Sequence, residues 1–75
     1  MIPIEQFKVG QIWRETPENA PSSCYEVVGI DKERQRVRIF WLESTLSMEF
    51  ACNAFHHTRD ELLTPTEVAD LRLAK

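Results

Sequence analysis

No run of apolar residues in this 75-residue chain approaches the roughly 20 that a helical membrane span needs. The composition, 43% hydrophobic and 28% charged, suits a folded domain better than a disordered segment. One small soluble domain covering residues 1–75 is therefore expected. The opening MIPIEQFK has neither the basic lead nor the apolar core of a secretory signal, which makes the cytosol the expected location. Cysteine is scarce. Cys24 and Cys52 are the only two, and in a reducing compartment they are expected as small apolar thiols rather than a bridge. A basic surplus is missing as well: nine Lys and Arg against twelve Asp and Glu leave a net charge of −3. That balance argues against a surface that grips nucleic acid all over, although a local basic patch remains open.

Catalytic and cofactor motifs are also missing. Cys52, His56 and His57 form a C-x3-H-H run that could supply zinc ligands with Cys24. Structural zinc sites, however, present paired ligands close together on each side, and Cys24 has no near partner. Cys52 and His56 could meet on one helical turn as a nucleophile and base, but nothing places a third orienting group or an oxyanion hole. A chain this short also has little room for a substrate cavity of about 300 Å³ or more. No enzyme activity, cofactor, metal or small-molecule substrate is expected.

What the chain does contain is β patterning. Cys24–Glu43, CYEVVGIDKERQRVRIFWLE, reads as a hairpin: two runs rich in Val, Ile and aromatics flank a charged segment. Pairing Asp31 with Arg36 leaves Lys32–Gln35 as a four-residue loop, where substitution of Gln35 is expected to matter little. The same register sets Ile30 opposite Val37, Val28 opposite Ile39 and Glu26 opposite Trp41 on one face. The other face then carries Gly29 with Arg38, Val27 with Phe40, and Tyr25 with Leu42. A one-residue slip would oppose Ile30 and Val28 to arginines and is disfavoured. Both faces are apolar at the far end, so both need cover.

Residues 1–6 read as a lead-in. Phe7–Arg14 reads as the first strand, with a bend at Gly10 and with Ile12 and Trp13 on opposite faces. Glu15–Ser23, rich in Pro, Asn and Ser, is a long loop of the kind that often meets ligands. Thr45–Phe50 alternates Leu46, Met48 and Phe50 against polar residues, as a half-buried strand does. Ala51–Thr58 reads as a corner with Phe55 turned inward, and Glu61–Leu63 as a short last strand. Thr64, Pro65 and Glu67 form a capping box, which predicts a helix over about 65–73. Its apolar stripe is weak, with Val68 and Leu71 as the residues that can cover the sheet.

The V-G-Q-I-W strand, the Y-E-V-V-G-I-D strand, the charged hairpin, R-V-R-I and the corner leading to E-L-L together resemble the small Src-homology-like barrels, over Phe7–Leu63. That class includes KOW and Tudor-type modules and many short phage and mobile-element proteins. The resemblance implies a mainly β fold: a five-stranded bent antiparallel barrel with a short C-terminal helix. It further implies a non-enzymatic module that binds a protein or a nucleic acid, for instance a phage or mobile-element accessory protein acting on a host protein. The chain lacks the acidic and paired-aromatic motif of proline-peptide binders and the aromatic cage of methyl-lysine readers.

Two candidate surfaces follow. Trp13, Tyr25, Phe40 and Leu42 look too numerous to share one small core with Phe7, Trp41, Phe50 and Phe55, and mark a face for another protein or for self-association unless the helix covers them. Lys32, Arg34, Arg36 and Arg38 recur at every second position and lead into Phe40, a basic stripe suited to phosphates. The aromatic surplus and net negative charge favour the protein partner.

Overall fold

The structure, a computed structural model, describes residues 2–16, 19–44, 46–52 and 60–73. A short 3-10 turn, Ile4–Gln6, precedes strands β1 (Ile12–Glu15), β2 (Ser23–Asp31), β3 (Arg36–Trp41), β4 (Ser47–Ala51) and β5 (Glu61–Leu62), and helix α1 (Pro65–Leu73) comes last among the described residues. The strands form a single antiparallel sheet in the order β4-β3-β2-β1-β5. The expected mainly β class, strand number and terminal helix are present. The sheet is open, with β4 and β5 as its outer strands among the described residues.

The hairpin tip follows the expected register. Asp31 pairs with Arg36, Ile30 with Val37 and Gly29 with Arg38, around a turn at Lys32–Gln35. Below Gly29 the register shifts by one residue, so that Val27 meets Ile39, Glu26 meets Phe40 and Tyr25 meets Trp41. Val28 is the extra residue of a β-bulge. Continuing the upper register would have turned Glu26 into the core opposite Trp41, and burying an unpaired carboxylate is costly. The bulge turns Glu26 out and Tyr25 and Val27 in. Val28 is consequently 41% exposed, whereas Val27 is fully buried.

The core gathers on one face of the sheet: Trp13, Tyr25, Val27, Val37 and Ile39, closed by Ile4, Phe7 and Cys52. The first residues are thus more than a lead-in, because Ile4 and Phe7 cover the aromatic strand positions. Phe7 packs on Trp13 with ring centroids 5.1 Å apart, and Trp41 meets Tyr25 edge-on at 5.4 Å. The first strand starts later than the pattern suggests, because Lys8–Gln11 forms a turn closed by the Gln11 amide donating to the Lys8 carbonyl. Gly10 takes φ +98° there, a conformation that requires glycine. Ile12, on the opposite face from Trp13, is buried apart from the main core.

Helix α1 begins where its capping box places it. The Thr64 amide donates to Glu67 Oε1 at 3.0 Å, and the Glu67 amide donates to Thr64 Oγ1 at 3.2 Å. None of its residues is fully buried. Val68 and Leu71, expected to cover the aromatic face, are only half-buried. The corner residues Asn53–Arg59, including Phe55, lie outside the described residues.

Two substitutions test this packing. Ile39→Ala empties a fully buried site and should cost about 2–5 kcal/mol in denaturant unfolding. Gln35 sits at φ +56°, so, contrary to the sequence expectation, it is a sensitive tip position. Gln35→Val should lose about 1–2 kcal/mol, because a β-branched residue resists the left-handed region, whereas Gln35→Gly should lose less.

Candidate functional site

The aromatic face expected from the sequence does not form. Trp13 is 5% exposed and Tyr25 has no exposed surface, while Phe40 and Leu42 are half-buried. The bulge is the reason, since it swings Tyr25 onto the core face beside Trp13, its partner across β1 and β2. Their polar atoms are satisfied inside. Trp13 Nε1 donates to Gln11 Oε1 at 3.1 Å, an oxygen that also accepts the Lys8 amide at 2.7 Å. The Tyr25 hydroxyl donates to Asp60 Oδ2. Burial, reinforced by the Asp60 carboxylate, pushes the Tyr25 phenol far above its ordinary value.

The basic stripe is likewise altered. Lys32 and Arg34 lie on the turn rather than on a strand, so the two-residue alternation holds only for Arg36 and Arg38. Both flank Glu49 of the neighbouring strand: Arg36 Nε stands 2.7 Å from Glu49 Oε1 and Arg38 Nη2 stands 3.6 Å from Oε2. Arg34 pairs with Asp31 at 3.8 Å, and the Arg34 amide donates to the same carboxylate. Asp31 and Glu49 thereby offset part of the positive charge that the stripe presents to a phosphate.

Both cysteines are free, Cys24 half-buried and Cys52 buried. Burial pushes both thiols up, with Glu43 adding to the effect at Cys24 and Glu5 at Cys52. These thiols are the reverse of activated nucleophiles. His56 and His57 lie outside the described residues, and no group of three metal-binding side chains comes together among the described ones. No helix there is long and apolar enough to cross a membrane. Of the Glu15–Ser23 loop, Thr16 and Asn19–Ser22 are exposed, and Pro17 and Glu18 lie outside the described residues.

What the sequence reading missed is a groove of about 740 Å³ between α1 and the β1–β5 side of the sheet. Buried Ile12 and Leu63 meet half-buried Val68 there, with exposed Leu62 and Leu73 and the cation of Arg72 also lining it. Arg14 links both elements beside the groove to β1. Its guanidinium reaches Glu61 on β5 at 3.0 Å and Glu67 in the first turn of α1 at 3.5 Å. Glu67 is held below its ordinary value by the Thr64 amide, the Thr64 hydroxyl and Arg14. Val68 is visible in the sequence as part of a weak helical stripe, but such a stripe reads more readily as poor packing than as one wall of a groove.

No family model matches the chain, and no curated protein or solved structure is significantly similar to it.

The Tyr25 phenol gives this architecture an alkaline signature. Because the folded state raises its ionisation above the ordinary value of 10.0, its contribution is complete below that pH and is lost as the pH climbs above it. Tyr25→Phe should cost about 1–3 kcal/mol at neutral pH and should flatten the decline in unfolding free energy above pH 10, measured by denaturant titration across the alkaline range.

Proposed function

We propose that the chain is a non-enzymatic protein-binding module of the small Src-homology-like barrel class, and that it takes an apolar segment of its partner into the groove beside α1. The meander β1-β2-β3-β4, with β5 returning to pair with β1, is the order that such a barrel needs, and supports that class. The groove carries the functional reading. Leu62 is 47% exposed and Leu73 is 83% exposed, beside a buried apolar floor and at the one helix of the described fold. Exposed apolar surface collected in a concavity marks a binding site more often than scattered apolar residues do.

Arg72 defines the partner further. It lines the groove and has no ion-pair partner among the described residues. The fitting ligand is therefore a segment with two or more apolar side chains and an Asp or Glu beside them. The arginines of the hairpin are held by Glu49 and Asp31, which favours a protein partner over nucleic acid.

A displayed library of random peptides selected on the purified protein tests this. Enriched peptides should combine apolar residues with an acidic one, and should lose binding to Leu62→Glu and to Leu73→Glu, each read only after its circular dichroism and melting transition are shown to match the wild type. Failure to enrich such peptides, or binding that survives both substitutions, overturns the groove. Labelled DNA or RNA bound tightly, with affinity falling steeply as salt rises and vanishing in an Arg34, Arg36 and Arg38 triple alanine variant, would establish the nucleic-acid reading instead.

A further inference from the structure

The β4 strand has a second, independent property that does not involve the groove. Among the described residues it pairs only with β3, and its backbone phase follows from that pairing. The Trp41 amide donates to the Leu46 carbonyl at 2.9 Å, and the Cys52 amide donates to the Gln35 carbonyl at 2.8 Å. With the β3–β4 register between these points, alternation turns the backbone groups of Leu46, Met48 and Phe50 toward β3. Those of Ser47, Glu49 and Ala51 turn toward the outer edge.

The side chains along this edge are self-complementary. Leu46-Ser47-Met48-Glu49-Phe50 reads apolar, polar, apolar, polar, apolar in both directions about Met48. We propose that β4 pairs with β4 of a second copy, antiparallel, about a two-fold axis at Met48. This register opposes Ser47 to Glu49 of the other copy, so that their edge-facing amides and carbonyls exchange hydrogen bonds on both sides of the axis. Leu46 comes opposite Phe50, and Met48 opposite itself, so the apolar face of one sheet continues into the other. Moving the axis by one residue to Glu49 would oppose two carboxylates, which is unfavourable.

Three further observations fit a second copy. Leu46 is 50% exposed and Met48 is 42% exposed, on the face that carries the core in β3. The Glu49 side chain is drawn onto the opposite face by Arg36 and Arg38, clear of the apolar side. Arg36 also donates to the Glu49 carbonyl at 3.3 Å, which occupies one lone pair and leaves the second for the Ser47 amide across the axis.

Light scattering coupled to size exclusion, over a broad dilution series, should show a dimer that dissociates to monomer. Ser47→Pro removes an edge donor without touching the β3–β4 ladder, and Met48→Lys sets two like charges across the axis. Both should remain monomeric with wild-type circular dichroism. The register itself is tested by Met48→Cys. The Met48 pair is a non-hydrogen-bonded one, with Cα atoms about 4.5 Å apart, within disulfide reach. Mild oxidation should therefore link this variant covalently, while Glu49→Cys and the wild type stay unlinked. A wild-type monomer at every concentration, a larger closed ring, or a dimer untouched by Ser47→Pro and without the Met48→Cys cross-link overturns the proposal. Leu62→Glu should leave the dimer intact, which separates this outcome from failure of the groove.

Discussion

Between Val27 and Gly29, β2 carries one residue more than the β3 segment that faces it, and this mismatch settles which side chains are inside. A strand presents alternate residues to alternate faces, so one extra residue reverses the assignment of everything on one side of it. Above the bulge Ile30 lies on the core face with Val37. Below it Val27 and Tyr25 share that face with Ile39 and Trp41, and Glu26 turns away. Without the reversal, either Glu26 enters the core while Tyr25 and Val27 leave it, or Ile30 turns away from Val37. The placement of Trp13 follows, since it pairs with Tyr25, as does the need for Ile4 and Phe7 to cover both rings.

Much of this was legible in the sequence. Strand order in the hairpin, the four-residue turn, the register above Gly29 and the helix start all follow from local patterning, because each rests on residues close together in the chain. The Thr64, Pro65 and Glu67 signal is specific in the same way, since its bonds span only three residues. The bulge was written in the sequence too, as polar Glu26 between Tyr25 and Val27 followed by a change of phase beside a glycine. The count of aromatics suggests a surplus at the surface, but the bulge places Tyr25 on the core face beside Trp13, where Ile4 and Phe7 cover both.

The candidate surfaces were less legible, because they depend on contacts between distant parts of the chain. Nothing local in Lys32–Arg38 reveals that Glu49 will lie beside Arg36 and Arg38. Nothing local in Leu62 or Leu73 shows that they line one groove with Ile12. Arg14 brings the distant ends of the fold together, and its two carboxylate partners come from separate elements. An isolated sequence pattern can nominate charged and apolar residues, but their neighbours decide whether they are neutralised, buried or left available.

The β1–β5 pairing joins Arg14 to Glu61, 47 positions apart in the chain, and this separation bears on how the molecule assembles. The β2–β3 hairpin closes a small loop, whereas β5 closes a long one with only two residues of ladder to reward it. Local strands therefore have reason to form before β5 docks, and the distant pairing adds to the contact order that slows folding. The same asymmetry acts in reverse during thermal fluctuation. A short outer strand followed by a nine-residue helix with no buried residue is the part with least holding it, so partial opening that spares the hairpin core would release β5 and α1 together. Amide protons of β2 and β3 would then exchange through rarer openings than those of the C-terminal segment, giving the small domain two levels of protection within one sheet.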